Sequence, residues 1–242
     1  MENARVTLLP LRELSEPWRV HAEIFSSRIA FSKTALGNEA WSRWSGRTNA
    51  FFWPSLVRTG REAERLSANQ PASEDRTGLS SPMHYLWDGE PAPQAWRFAR
   101  PGVRAAARGA LLSGLQLAPF TETGDVVDYT VRGSAPSKPR FSRSSLVTFL
   151  AAELIVQAVV AMNAPRYRKD GKARALERVV LTTPAGLSPH EHAILKNRVT
   201  GAVEAVWQSM GWLQPEMPLA PRKPEVVLAS DNATNAGLAY LQ

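Results

Sequence analysis

The second half of the chain alternates between short β-branched runs and a longer segment with helical spacing. The runs at residues 178–184 and 226–228 predict two strands, and the first, which ends at a proline, is expected to be buried. Between them, apolar side chains recur at the 3.6-residue period and predict a helix with one buried face: Leu195, Val199, Ala202, Val203, Val206 and Met210. Small residues at 233–240 predict a further helix. The order strand, helix, strand, helix is typical of an α/β fold.

The helix between the two strands carries a start signal in the sequence. Ser188 can cap it, and Pro189 suits its first position. Glu191 lies three residues after the cap, where its carboxylate can reach back to a free backbone N–H. Gly211 lies where the helix is expected to end.

Residues 146–162 form an almost wholly apolar segment with helical character. Glu153 and Gln157 lie near its middle, where hydrocarbon would penalise them, and the segment is short for a membrane span. We therefore predict a buried core helix and no membrane span.

The first half is richer in aromatic residues. Its tryptophans are expected mostly in the core or at its boundary, and an aromatic partner-binding surface is the alternative: Trp41, Trp44, Trp53, Trp87 and Trp96. A stretch rich in proline and serine separates the halves. We predict a peripheral subdomain of strands and short helices at 1–133, a linker at 134–140 and an α/β lobe at 141–242.

Composition excludes several kinds of chemistry. Cysteine is absent, so disulfides, thiolate catalysis and cysteine-based metal sites are excluded. Neither glycine-rich phosphate motif occurs, and there is no GxSxG sequence for a serine nucleophile. His190 and His192 would point about 200° apart on a helix, so they are expected to be surface residues and not a metal-binding pair.

The chain is basic, with a net charge of +7 and a pI of about 10.1. Most basic residues are dispersed, and the one dense run is RYRKDGKAR at 166–174. This pattern favours a solvated surface loop between a helix and a strand. Contact of Tyr167 and its neighbours with nucleic acid is the less favoured alternative.

Several segments of this sequence are similar to a known bacterial family. The segments from the first half and from the apolar helix resemble the virulence factor SrfB family: residues 27–32, 37–41, 46–57, 78–88 and 142–150. Residues 179–185 and 231–240 resemble the ATPase domain of the seventy-kilodalton heat-shock chaperones, and more broadly the actin-like fold. The resemblance implies an α/β, actin/heat-shock-chaperone ATPase-like lobe, partial, with a mixed α+β peripheral subdomain, in a bacterial protein. The lack of cysteine fits a reducing cytoplasm and residues 1–18 show no export signal, so a cytoplasmic location is expected.

The resemblance also implies positions for an ATP cleft. The lysine that reaches the γ-phosphate in those ATPases corresponds to Met83, with His84 beside it, and a thioether brings no charge to a phosphate. The elbow carboxylate corresponds to the neutral Asn232, with Asp231 adjacent. Thr234 and Gly237 would line the rear of the cleft with Asp231.

The same comparison argues against independent catalysis. The two phosphate loops of those ATPases would fall before Met1 and beyond Gln242, so we expect a partial site and assign no catalytic residue and no metal ligand. Mg-ATP is expected, if at all, as a ligand of a full-length form. Three functions remain open at this point: a nucleotide-binding fold that is not competent alone, a protein-interaction module using the tryptophan-rich half with an unknown partner, and a basic nucleic-acid binder.

Overall fold

The strand–helix–strand order predicted for the second half is present in the structure, a computed structural model of the chain. The structure describes residues 8–12, 20–21, 25–31, 57–60, 63–64, 78–91, 120–128, 140–168, 171–183, 186–213 and 220–229. Predictions that fall on other residues, including linker residues 134–139, the final helix and Trp41, Trp44, Trp53 and Trp96, lie outside this described part.

Short antiparallel strands make up the described regular structure of the first half. Strand β1 (Leu11–Arg12) pairs with β2 (Val20–His21). Strand β3 (Ile29–Phe31) lies between β4 (Val57–Thr59) and β5 (Gly78–Leu79). Each has only two or three residues, so pairing alone cannot hold these strands and packing against another element is needed.

A 3-10 helix at Pro82–Tyr85 follows β5 directly. Ser81 precedes it with φ at 50°, a left-handed conformation that is uncommon for a residue other than glycine. Pro82 and Leu86 are buried on either side of the turn, while Trp87 is 65% exposed. The turn is therefore anchored by its neighbours and presents an indole to solvent.

Two long helices, a short 3-10 helix (Pro165–Tyr167) and two parallel strands form the described second half. Helix α1 (Leu146–Met162) precedes β6 (Arg178–Thr182), and helix α2 (Pro189–Ser209) connects β6 to β7 (Glu225–Ala229). The strands pair in parallel with Arg178 opposite Glu225 and Thr182 opposite Ala229. These bounds confirm the predicted α1, α2 and strand positions, and a helical crossover is what a parallel pair requires.

Helix α1 lies in the core, as its apolar composition predicts. It packs along α2, and it also contacts β1, β4 and the 3-10 helix. Its Glu153 is only 4% exposed and accepts a 2.7 Å hydrogen bond from the Gln157 amide, which compensates part of the cost of burying the carboxylate. Among the described residues, no helix is long and apolar enough to cross a membrane.

Two clusters of buried side chains surround α1. The first joins Ile29 of β3 and Phe120 to Phe141 and Phe149, with ring centroids of Phe120 and Phe149 at 4.4 Å. The second lies between α1, α2 and β7, and contains Leu195, Val199, Val203, Val206, Trp207 and Val226. The predicted apolar face of α2 is thus confirmed, with Met210 partly buried at its end.

The prediction that β6 is a buried strand is wrong. Its residues alternate between exposed and half-buried, and Val180 is 56% exposed. Val179 and Leu181 pack against the second cluster, while the opposite face is uncovered by the described residues. A run of β-branched residues occurs both in strands covered on one face and in strands covered on two. Periodicity in so short a segment does not distinguish them.

A tight turn at residues 121–125 contacts both the start of α1 and the side of α2. Gly124 has φ at 89°, and a Cβ there would lie 2.4 Å from Ser145 Oγ. Asp125 accepts a 2.6 Å ion-paired hydrogen bond from Arg198 Nη1, and Arg198 Nε donates to Ser144 Oγ at 3.1 Å. One arginine of α2 therefore connects this turn to the residues that begin α1.

Candidate functional site

The carboxyl ends of β6 and β7 meet at one edge of the parallel pair. Ligands of α/β proteins bind at such edges, so this edge is the candidate site. Thr183 follows β6 directly and is completely buried. Its backbone N–H donates to the Ala229 carbonyl oxygen at 3.0 Å, which extends the strand pairing by one residue.

His192 of α2 fastens this edge to the start of the helix. Its Nε2 lies 2.9 Å from Thr183 Oγ1, and its Nδ1 lies 3.1 Å from the Ser188 carbonyl oxygen. Because a carbonyl oxygen only accepts, Nδ1 donates to the Ser188 carbonyl oxygen. The Thr183 hydroxyl donates to the Ala229 carbonyl oxygen at 3.2 Å, so it contacts both His192 and the end of β7. The histidine thus connects β6, β7 and α2.

A capping box closes the beginning of α2. Ser188 Oγ accepts from the Glu191 backbone N–H at 3.2 Å, and the Glu191 carboxylate accepts from the Ser188 N–H at 2.8 Å and from its hydroxyl at 2.7 Å. The Ser188 backbone hydrogen bond is the main cause that lowers the pKa of Glu191 below 4.5, followed by the Ser188 hydroxyl. The backbone N–H groups of Ser188 and Glu191 are therefore both satisfied within the capping box, and Pro189 has no N–H to offer a phosphate.

The sequence-predicted site residues divide into two groups. Asp231, Asn232, Thr234 and Gly237 lie outside the described residues, immediately after the end of β7 at Ala229. Met83 and His84 lie in the 3-10 helix, where His84 is exposed. Their assignment to an ATP cleft stays a prediction.

The surroundings of Met83 are apolar. Its side chain packs against the second cluster, which also contains Leu86 and Val226 of β7. A thioether in such a contact contributes dispersion and apolar burial, not a charge. The structure therefore places Met83 half-buried against the second cluster.

The described residues contain no group of three or more histidine, aspartate or glutamate side chains that could hold a metal ion. His190 is exposed, as the sequence predicts, but His192 is half-buried and hydrogen-bonded. The surface prediction for His192 is therefore wrong, because its ring turns toward the strand ends instead of solvent. In the described part of this edge, the hydrogen bond between Thr183 and His192 connects the end of β6 to the start of α2.

Two features of this fold were missed by sequence reasoning. The Thr183–His192 contact has only a weak signal in the sequence. That signal is a histidine four residues after the helix cap, from where the histidine ring can reach the carbonyl oxygen of the cap residue. The second is Asn163, which follows α1 and binds the backbone of Arg174. An asparagine just after a helix is a common cap residue, but its distant partner could not be read from the sequence.

A family model described as virulence factor SrfB matches residues 2–242 of the chain. No match is found among curated proteins or among solved structures. The match covers nearly every residue, including the 3-10 turn, α1 and the β6–α2–β7 unit described above. The chain belongs to the virulence factor SrfB family.

Proposed function

We propose that this SrfB-family chain forms part of a nucleotide-binding lobe of the actin and heat-shock chaperone type, and that it does not hydrolyse ATP by itself. In this proposal the carboxyl edge of β6 and β7 forms the rear wall of the nucleotide cleft. The residues that follow Ala229, with Asp231, Thr234 and Gly237, would face the ligand.

One observation carries the proposal, the β6–α2–β7 unit. Its strands are parallel, joined by a helix of 21 residues, and end together at Thr182 and Ala229. Open α/β sheets bind their ligands outside such strand ends, because the loops there diverge and leave a crevice. The Thr183–His192 contact links this end of β6 to the start of α2, and a side chain held by such a contact supports a binding site.

Two residue identities argue against hydrolysis. Phosphoryl transfer needs positive charge and a metal near the transferred group, because its transition state spreads negative charge over oxygens. Met83 packs an apolar, half-buried thioether against the second cluster, and Asn232 is neutral where the resembling ATPases have a carboxylate. Mg²⁺, when bound, would supply the charge that neither residue provides.

The elbow assignment can be tested by restoring the carboxylate. In a full-length form, Asn232→Glu should tighten the magnesium-dependent binding of ATP, measured by titration calorimetry with and without Mg²⁺, because a carboxylate there can orient the metal's water shell. Asn197→Glu is the matched control, since it makes the same charge change at an exposed position of α2. Equal effects of the two variants would contradict the assignment.

The absence of turnover needs a separate measurement. Phosphate release from Mg-ATP by the 242-residue chain is expected to stay at the level of a protein-free blank. Turnover above that level, lost in Asp231→Asn but kept in Asp125→Asn, would overturn the statement that the chain is not competent alone. Asp125 is suited as the control because its carboxylate already pairs with Arg198.

A second candidate function, a protein-interaction module, is favoured by Trp87. Its side chain is 65% exposed, while Leu86 beside it is buried and Asp88 pairs with Arg143 at 3.3 Å. A rigidly presented indole is a common anchor in protein interfaces. A photoreactive residue at position 87 should give a defined crosslinked partner, whereas the same residue at the exposed Val160 of α1 should not. Identical patterns at both positions would remove this candidate.

A further inference from the structure

A cluster of exposed cationic side chains lies between α1 and β6. We define the basic cluster as Arg166, Arg168, Lys172 and Arg174, all four of which are exposed. Within the described residues, no ion pair joins any of the four to a carboxylate. By contrast, the nearby Arg178 is paired with Glu225 at 3.2 Å.

Asn163 draws the two ends of this segment together. Its side-chain amide donates to the Arg174 carbonyl oxygen at 3.0 Å, and its Oδ1 accepts from the Arg174 backbone N–H at 2.8 Å. The same amide donates to the Val159 carbonyl oxygen of α1 at 3.0 Å. Because both backbone groups of Arg174 are held, the position of the loop relative to α1 is fixed by one side chain.

The same residue also holds Arg168. Its Nε donates to the Asn163 carbonyl oxygen at 2.7 Å, which restricts the orientation of the guanidinium group. The Arg166 guanidinium lies over the Tyr167 ring, with Cζ 4.7 Å from the ring centroid. These contacts reduce the freedom of side chains that an ordinary solvated loop leaves unrestricted, and preorganised cations lose less entropy on binding an anion.

We propose that the basic cluster binds the phosphate backbone of a nucleic acid. Three of its four members are arginines, whose planar donors match phosphate oxygens in pairs. Tyr167 adds a half-buried ring beside them, a feature of surfaces that contact unpaired bases. Membrane-surface segments combine basic residues with bulky apolar ones, whereas the small residues that precede Arg174, Gly171 and Ala173, offer no such wedge.

The direct test uses fluorescence anisotropy of a labelled 20-nucleotide DNA, single-stranded and duplex, with the 242-residue chain. Four phosphate contacts predict a log–log salt slope for the duplex of up to about 3.6. The triple variant Arg166→Gln/Lys172→Gln/Arg174→Gln should reduce this slope by about 2 to 3, and should weaken binding roughly tenfold or more at low salt. Arg168 is kept because it also bonds to Asn163.

The matched control removes the same charge elsewhere. Arg140→Gln/Lys196→Gln/Arg222→Gln also lowers the net charge of +7 by three, at exposed positions outside the cluster, and it spares Lys223, which pairs with Glu204. The control should keep the affinity within about twofold, since only non-local attraction changes. An equal loss in both variants would overturn the proposal, because the attraction would then be a property of net charge alone.

Loop positioning has its own test. Asn163→Ala keeps every charge but removes the bonds to Val159 and Arg174, so it should weaken DNA binding severalfold with little change in salt slope. Thermal unfolding followed by circular dichroism must show that each variant folds, and all affinities are compared below its transition.

Two outcomes contradict the proposal outright. One is no binding of either DNA form at low salt. The other is binding only to vesicles containing phosphatidylserine, abolished by the triple variant, which would assign the cluster to an anionic lipid surface instead. Because Mg-ATP plays no part in these measurements, their failure would leave the proposed nucleotide cleft untouched.

Discussion

The described strands of the first half and the helices of the second half differ in how much structure they can maintain by local contacts. Strands β1 to β5 have two or three residues each, whereas α1 and α2 have 17 and 21. Ile29 of β3 is completely buried because it joins the cluster around Phe141 and Phe149 at α1. The comparison teaches that the short strands depend on a surface that the second half provides.

The most severe test of this dependence is to remove the largest side chain of the second cluster. Trp207 is 1% exposed, lies 5.1 Å edge-on from Trp212, and donates its indole N–H to the Pro221 carbonyl oxygen at 2.8 Å. Trp207→Ala should lower the free energy of unfolding by about 3–5 kcal/mol. Hydrogen exchange at the amides of β3 should accelerate together with exchange in α2. Protection of β3 that survives the loss of α2 would contradict the dependence.

Gly124 offers a smaller perturbation at the contact between the turn and α1. Gly124→Ala places a methyl group against Ser145 in a left-handed conformation, so we expect a loss of about 2 kcal/mol in unfolding free energy. Gly171→Ala is the control, because φ is 69° there but no atom lies within 4 Å of the added Cβ. Denaturant unfolding should show the larger loss for Gly124; equal losses would mean that the contact with Ser145 is unimportant.

The capping box tests how far α2 is stabilised locally. Ser188→Ala removes the side chain that accepts from the Glu191 N–H, and should cost about 1 kcal/mol. Thr200→Ala, at an exposed position within α2, should instead be neutral or slightly stabilising because alanine is the better helix former. Thermal unfolding of the two variants gives the comparison. Indistinguishable transition temperatures would show that tertiary packing alone sets the start of α2.

The smallest expected effect is a pH dependence at Glu191. Hydrogen bonds from Ser188 lower the pKa of Glu191. Its carboxylate therefore stabilises the fold above pH 4.5, and this contribution is lost as the pH falls further. The thermal transition temperatures of wild type and Glu191→Gln should therefore differ at pH 7 and converge below pH 4.5. In a Ser188→Ala background the difference at pH 7 should shrink. A difference that stays constant down to pH 3 would contradict this origin.

Much of the second half could be predicted because its signals are local. The uniform apolar run predicts the bounds of α1, and the start of α2 is predicted by Ser188, Pro189 and Glu191. The exposed face of β6 could not be predicted, since a run of valines has the same sequence whether one or both faces are covered. The pairing of β3 with β4 and β5 depends on contacts between distant residues, which a single sequence does not display.

The contacts at the candidate site were predicted less completely than the helices and strands of the second half. The strand ends were located from the pattern, but the Thr183–His192 contact depends on a side chain crossing from α2 to β6. Asn163 and Arg174 are likewise 11 residues apart and meet only because the loop returns to α1. Polar contacts of this kind follow from the fold, so they become visible only after the helices and strands are placed.

The central claim, that the carboxyl edge of β6 and β7 faces a nucleotide, is tested most directly by nuclear magnetic resonance. In a full-length form, Mg-ATP should shift the backbone amide signals of Thr183 and Ala229, while those of Arg178 and Glu225 at the opposite end of the strands stay in place. Shifts confined to the basic cluster, or no shifts at millimolar ligand, would contradict the claim.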